Sequence, residues 1–151
     1  MKRKRILIIG PRGSGKSSLA NIVNGDSGPV RRVQDTIYAK ETIDVPSAYL
    51  ENTWMYRHLI ALSQDAWCVL MLFDARNKES VYSPGFAQAF CIPIMAVVTH
   101  YKDDVDARAR IQKQCKDAGV CSEPYFFDSE SAENREALLA KLVALKERKG
   151  I

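Results

Sequence analysis

The chain has 151 residues, 46% of them hydrophobic and 26% charged, with a formal net charge of +4 at pH 7. This composition excludes a disordered or fibrous protein, and the length predicts one domain spanning residues 1–151. The apolar stretches are too short to span a membrane, and the beginning of the chain has no signal-peptide pattern. We therefore expect a cytoplasmic protein without a membrane anchor. Its basic clusters lack interleaved aromatic residues, so no nucleic-acid partner is expected.

Short apolar runs, each typical of a strand buried on both faces of a sheet, alternate along the chain with stretches of helical spacing. The predicted strands cover residues 5–9, 39–45, 66–73, 92–98 and 124–127, and the predicted helices cover 18–23, 54–64, 105–118 and 132–149. Successive strands are far enough apart for crossover helices. The pattern predicts an α/β fold of three layers, with helices on both faces of a mostly parallel sheet.

The first predicted strand leads directly into a glycine-rich segment, residues 10–17, which fits G-x-x-x-x-G-K-[ST] at every fixed position. Backbone N–H groups in such a loop surround phosphate oxygens, and the following helix directs its N-terminal donors at the same anion. Lys16 is expected to contact the β and γ phosphates, and Ser17 to bind Mg²⁺. The predicted nucleotide-binding residues are Gly10, Pro11, Arg12, Gly13, Ser14, Gly15, Lys16, Ser17 and Ser18.

A carboxylate on the magnesium side of the site is predicted at Asp44, at the end of the strand 39–45. The segment 44–47 resembles the Asp-x-x-Gly element of GTPases, with Ser47 in the glycine position. We predict Lys16 and Asp44 as catalytic residues, and Ser17 and Asp44 as magnesium ligands. Asp74, after another apolar strand, is either a magnesium ligand or a structural residue at the strand end.

Three segments together resemble the EutP and PduV family of ethanolamine- and propanediol-utilisation proteins, which are linked to bacterial microcompartments. Residues 44–52 (DVPSAYLEN) are similar to Asp-Thr-Pro-Gly-Glu-Tyr-Leu-Glu-Asn of that family, residues 82–86 to its Ser-Pro-Gly-Phe element, and residues 93–99 to its strand ending in Val-Thr-Lys. The chain is identified as a divergent member. This resemblance implies a small-GTPase-like P-loop fold, a site for Mg²⁺ with ATP or GTP, and a cytoplasmic or microcompartment-associated location.

The chain departs from the family's pattern at several nucleotide-contacting positions. The guanine-reading motif falls on residues 99–102, where His100 replaces a lysine and Lys102 replaces the aspartate. A lysine ammonium has no acceptor for the guanine N1 and N2 hydrogens, so ordinary guanine recognition is not expected unless Asp103 or Asp104 shifts into place. The switch threonine falls on Val33, with Thr36 as a nearby candidate. These changes indicate relaxed chemical demands or adaptation to ATP.

Two functions remain open at this point. The first is a nucleotide-dependent enzyme that hydrolyses its substrate or transfers a phosphoryl group, as the acetate kinase activity associated with EutP implies. The second is a catalytically weak P-loop scaffold that binds a microcompartment shell or a cytoskeletal partner, as a monomer or a weak dimer. Ser129 and Ser131 follow the last predicted strand, where GTPase-like proteins place a loop beside the base. N-capping of the next helix, which Ser131 suits, is the alternative, and the two roles can coexist. Trp54, Tyr56 and Trp67 are interpreted as packing residues, with anchors for a partner protein as the alternative.

Overall fold

The computed structural model describes residues 4–25, 37–128 and 130–148. Its centre is a six-stranded sheet in the order β2-β3-β1-β4-β5-β6. β2 pairs antiparallel with β3, and the other neighbouring strands pair in parallel. The strands are β1 Arg5–Ile9, β2 Ile37–Tyr38, β3 Thr42–Asp44, β4 Ala66–Asp74, β5 Ile94–Thr99 and β6 Tyr125–Phe126. The prediction of an α/β fold with a mostly parallel sheet is confirmed.

Helices lie on both faces of this sheet, because alternate residues of each strand point to opposite sides. The helices are α1 Lys16–Asn24, α2 Ala48–Glu51, α3 Tyr56–Ser63, α4 Val105–Asp117 and α5 Ala132–Arg148. On one face Leu7 packs in a core with Leu59 of α3 and Ile111 of α4. On the other, Ile8 packs with Leu19 of α1 and Leu138 of α5. The three-layer prediction is therefore confirmed.

The region of the predicted strand 39–45 differs most from expectation. Only Thr42–Asp44 forms the parallel strand β3, and the chain reaches it by a reversal in which the Ala39 amide donates to the Thr42 carbonyl. This reversal lets Ile37–Tyr38 pair antiparallel with β3. The predicted single strand was therefore too long, and the antiparallel edge was not foreseen.

The connection from β4 to β5 is long enough for a crossover helix, but its regular structure is a 3₁₀ turn, Phe86–Ala89. The turn begins after Gly85, whose φ is 73°. Aromatic rings in this connection pack against one another. The ring centroids of Tyr82 and Phe86 are 5.4 Å apart, and those of Phe86 and Phe90 are 5.5 Å apart.

The predicted helix 54–64 begins later than expected, since Thr53–Met55 is a 3₁₀ turn and α3 starts at Tyr56. Trp67 is buried and Tyr56 stacks edge-on against Phe86, as packing residues should. The interpretation of Trp54 as a packing residue was wrong, because it lies on the 3₁₀ turn with 65% of its surface exposed. Ser131 accepts a hydrogen bond from the Asn134 amide, which confirms its N-capping role; Ser129 lies outside the described residues.

Strand β6 forms one edge of the sheet, and both of its aromatic side chains are covered by cations. The Arg108 guanidinium of α4 lies 4.2 Å from the centre of the Phe126 ring, and the Lys141 ammonium of α5 lies 5.6 Å from that of Tyr125. Tyr125 also donates its hydroxyl hydrogen to the Asn134 carbonyl. Across the three described ranges, no helix has both the length and the apolar character needed to cross a membrane.

Candidate functional site

The glycine-rich segment forms the turn between β1, which ends at Ile9, and α1, which begins at Lys16. Gly13 and Gly15 have φ values of 77° and 93°, a left-handed conformation that residues with a Cβ rarely adopt. At Gly10 the limit is space, since a Cβ atom would lie 2.7 Å from Ser14 Oγ and 2.8 Å from Leu72 Cβ. The three glycines thus fix the shape of this loop.

Lys16 points across the loop to the segment that follows β3. Its Nζ donates to Ser47 Oγ at 2.5 Å and lies 3.5 Å from the Pro11 carbonyl oxygen. Burial lowers the pKa of Lys16, and the negative charge of Asp44 partly opposes this shift. The ammonium is therefore partly shielded from water at the mouth of the loop, where it would attract an anion strongly.

Asp44 and Ser17 face each other beside Lys16. Ser17 Oγ donates to Asp44 Oδ2 at 3.3 Å, and only 4% of the surface of Asp44 is exposed. Burial raises the pKa of the Asp44 carboxyl, while the positive charge of Lys16 and the bond from Ser17 oppose that rise. Its second oxygen, Oδ1, is buried and has no hydrogen-bond partner among the described residues.

This pair of oxygen donors fits a magnesium ion. Mg²⁺ in nucleotide sites takes one or two protein oxygens and fills its other positions with phosphate oxygens and water. An unpartnered buried carboxylate oxygen beside a hydroxyl is such a donor set. A bound ion would explain why Oδ1 is buried without a hydrogen-bond partner. Within the described ranges, no three His, Cys, Asp or Glu side chains gather into another kind of metal site.

The carboxylate of Asp74 forms an ion pair with Arg76, two residues later in the chain. Its Oδ1 accepts from the Arg76 amide at 2.9 Å and from Nε at 3.0 Å, and its Oδ2 accepts from Nη2 at 2.7 Å. Burial alone would raise the pKa of Asp74, but the bonds from Arg76, with the charges of His100 and Arg76, together hold it below its usual value. These contacts favour the structural interpretation of Asp74 over the metal ligand.

Three side chains from outside the loop contact its carbonyl oxygens, and no pattern in the sequence indicated this arrangement. Thr99 Oγ1 donates to the Ser14 carbonyl at 2.7 Å, Arg76 Nη2 donates to the Gly13 carbonyl at 2.9 Å, and His100 Nε2 lies 3.0 Å from the same Gly13 oxygen. His100 has a φ of 57°, a left-handed conformation that is uncommon for a residue with a Cβ. Residues at the ends of β4 and β5 therefore brace the loop.

The other residues predicted near a base lie apart from this brace. Lys102 and Asp103 are exposed. Asp104 caps α4, accepting a hydrogen bond from the Asp106 amide at 3.0 Å, so this carboxylate already has a structural role. Arg12 is exposed. Val33 and Thr36, the candidates for the switch position, lie outside the described residues.

Comparison with known proteins places this chain in a family. The model of the PduV-EutP family, described as "Ethanolamine utilisation - propanediol utilisation", matches residues 3–144. The chain belongs to this family. The predicted resemblance is thereby confirmed over nearly the whole sequence.

Two curated PduV-EutP relatives show the range of similarity. The chain is 34% identical over 108 residues to "Propanediol utilization protein PduV" of Citrobacter freundii, covering 72% of this chain and 71% of that protein. It is 31% identical over 83 residues to "Probable acetate kinase EutP" of Salmonella typhimurium, covering 54% and 52%. The match thus spans about half the length of EutP.

Solved structures share the fold of this PduV-EutP chain at low sequence identity. A probable GTP-binding protein, engB, superposes with a TM-score of 0.64 at 17% identity, covering 95% of this chain and 99% of that one. The elongation factor SelB of Methanococcus maripaludis, in complex with the GTP analogue GppNHp, gives 0.63 at 15% identity, covering 97% and 35%. The small-GTPase-like P-loop fold is therefore confirmed.

Proposed function

We propose that this PduV-EutP chain binds a nucleoside triphosphate together with Mg²⁺ at the loop of residues 10–17. The observation that carries the proposal is the buried Asp44 Oδ1, which lacks a partner among the described residues and lies beside Ser17 and Lys16. A chain that buries an unpaired carboxylate oxygen loses stability, and a ligand that occupies the site offsets that loss.

Each residue has a distinct role in the proposed complex. The loop amides and the N-terminus of α1 surround the phosphates, and Lys16 adds a full positive charge at the β and γ groups. Ser17 and Asp44 hold the magnesium ion, which when bound neutralises phosphate charge. Thr99, His100 and Arg76 keep the carbonyls of Ser14 and Gly13 fixed, so that the loop amides stay aimed at the ligand.

We propose ATP as the preferred nucleotide. The position that would read guanine is an exposed lysine, Lys102, and Asp104 is used as a helix cap. Neither supplies the buried carboxylate that accepts from guanine N1 and N2. SelB was solved with a GTP analogue, but a similar fold at 15% sequence identity does not show which base this chain prefers. GTP remains the comparison ligand in any test.

Phosphoryl transfer is the reaction that the family relationship favours, since the EutP relatives are named as probable acetate kinases. Transfer would depend on positioning and charge neutralisation around the γ phosphate, which are the tasks suited to Lys16 and the magnesium ligands. Propanediol or ethanolamine utilisation, within or beside a microcompartment, is the metabolic setting that we propose from the family.

Calorimetric titration with ATP and with GTP, in the presence of Mg²⁺, tests the proposal. We expect ATP to bind more tightly, and Lys16→Ala to weaken binding by roughly 100-fold or more, as loss of a charged contact predicts. Lys116→Ala, an exposed lysine of α4, is the matched control and should bind like wild type. Absence of binding by wild type overturns the proposal. Acetyl phosphate formation from ATP and acetate, trapped with hydroxylamine, then tests phosphoryl transfer.

A scaffold role is a second candidate, and the exposed Trp54 favours it. This indole lies on the turn between α2 and α3, close in sequence to Ser47, and tryptophan is common at the centre of protein interfaces. Co-sedimentation with assembled microcompartment shell protein tests this role. Trp54→Ala should reduce co-sedimentation, whereas Val105→Ala, another exposed apolar residue, should not. Equal behaviour of the two variants would reject Trp54 as the contact.

A further inference from the structure

Ser47 occupies the position at which the family segment carries glycine. Its backbone has φ −58° and ψ −28°, which is right-handed helical conformation open to any residue. The chain therefore gains a side chain here without backbone strain. Replacing glycine adds one hydroxyl group to the mouth of the loop.

The hydroxyl of Ser47 has one partner and one unused hydrogen. Its Oγ accepts from Lys16 Nζ, and in the described part of the chain the hydroxyl hydrogen has no acceptor. Ser47 is half-buried, so water does not surround this group freely. An ammonium and a hydroxyl with a spare hydrogen, held in contact with each other, present two donors to one anion.

The position of this pair identifies the anion. Lys16 is the residue of a P-loop that reaches the β and γ phosphates. Ser47 Oγ accepts a hydrogen bond from the Nζ of this lysine. Ser47 lies three residues after the proposed magnesium ligand Asp44. We propose that the Ser47 hydroxyl donates a hydrogen bond to the terminal phosphate, and that Ser47 thereby determines the preference for a triphosphate over a diphosphate. This inference rests on the nucleotide-binding function proposed above.

The opposite role is also physically reasonable and gives an opposite result. If Ser47 only competes with phosphate for Lys16, its removal strengthens binding of diphosphate and triphosphate alike. If Ser47 bonds to the terminal phosphate, its removal weakens binding of the triphosphate alone. A hydrogen bond to a charged group changes affinity by roughly 10- to 100-fold. The ratio of the two dissociation constants therefore separates the roles.

The experiment measures dissociation constants of Mg²⁺–ADP and of a non-hydrolysable Mg²⁺–ATP analogue, by calorimetry, for wild type, Ser47→Ala and Ser47→Thr. The Ser47→Ala variant should lose about tenfold or more of the preference for the triphosphate while its affinity for ADP is unchanged. Ser47→Thr keeps the hydroxyl and should keep the preference. Ser122→Ala, which removes an exposed hydroxyl far along the chain, should resemble wild type.

Each other outcome has a definite meaning. An unchanged preference in Ser47→Ala, or a parallel gain in affinity for both nucleotides, overturns the inference and leaves the proposed function standing if wild type binds the ATP analogue. Failure of wild type to bind either nucleotide overturns the proposed function, and this inference with it. Thermal unfolding of each variant shows whether any loss of affinity reflects loss of the fold.

Discussion

The hydroxyl of Thr99 donates a hydrogen bond to the carbonyl oxygen of Ser14 at 2.7 Å, and so ties the end of β5 to the phosphate-binding loop. Both residues are buried, Thr99 at 6% exposure and Ser14 at 0%. Because water does not reach this carbonyl, the threonine is important both for the stability of the domain and for the shape of the loop.

Replacing Thr99 with valine keeps the side-chain shape but removes the donor. We expect Thr99→Val to lower the free energy of unfolding by about 1–3 kcal/mol, the usual effect of depriving a buried carbonyl of its partner. Urea denaturation monitored by circular dichroism measures this change. Thr99→Ser retains the hydroxyl and should lose less stability. A valine variant as stable as wild type would show that the bond to the Ser14 carbonyl contributes nothing.

Asp44 is expected to lower the stability of the ligand-free protein at neutral pH. Burial raises the pKa of its carboxyl in the folded state above the unfolded value. The folded state thus holds the proton more tightly, and the stability this provides is present below the unfolded pKa and lost as the pH rises through the folded pKa. At pH 7, Asp44→Asn should therefore raise the free energy of unfolding, on the order of 1 kcal/mol.

The test compares urea denaturation of wild type and Asp44→Asn without Mg²⁺ at pH 7 and near pH 4. The advantage of the asparagine variant should be largest at pH 7 and should shrink at the lower pH. The same variant should lose magnesium-dependent nucleotide binding. An asparagine variant less stable than wild type at pH 7 would show that the charged carboxylate is well accommodated.

The ion pair of Asp74 with Arg76 should stabilise the fold with the opposite pH dependence. The pKa of Asp74 is held below its usual value, so the contribution is present above the unfolded pKa and is lost as the pH falls through the folded pKa. Since the Arg76 side chain is 59% exposed, solvent weakens the pair, and Arg76→Met should cost about 1 kcal/mol at pH 7.

Urea denaturation at pH 7 and at pH 3 checks this prediction. The difference between wild type and Arg76→Met should become smaller at pH 3, which lies below the usual pKa of an unfolded aspartate, about 3.9. Arg57→Met on α3, which removes an exposed arginine, controls for the loss of one surface charge. A difference that did not depend on pH would mean that Arg76 acts through its bond to the Gly13 carbonyl and not through Asp74.

The cysteines should separate into two reactive and two protected thiols. Cys91 and Cys121 are exposed, whereas Cys68 and Cys115 are buried with pKa values that burial raises to about 12. At pH 8 a thiol reagent such as DTNB should modify the exposed pair within minutes, since only thiolates react. The buried pair should react only after denaturant is added. Rapid reaction of all four thiols would show that the core opens readily.

The sequence predicted the parts of this protein that local patterns determine. The P-loop motif has fixed residues at fixed spacing, and the buried strands are unbroken apolar runs, so both the loop of residues 10–17 and the sheet were foreseen. β2 could not be, because a strand of two residues has no detectable periodicity. The 3₁₀ turn before β5 depends on packing among Tyr82, Phe86 and Phe90, which separate patterns do not show.

The brace around the loop was missed for a different reason. Arg76 and Gly13 are 63 positions apart, and His100 and Gly13 are 87 apart, so their contact follows from strand order and register alone. The sequence drew attention to His100 only as a departure from the guanine-reading motif. Once β5 lies beside β4 and β4 beside β1, the end of β5 must face the loop.

The covered edge at β6 limits the ways in which copies of this domain can join. A free edge strand offers unpaired backbone groups to a second sheet, but β6 has only two residues, and Arg108 and Lys141 place charge over both of its rings. Short, charge-flanked edges resist sheet-to-sheet aggregation. High concentrations, such as those inside a crowded enzyme assembly, should therefore not drive this edge into fibrous or end-to-end stacking.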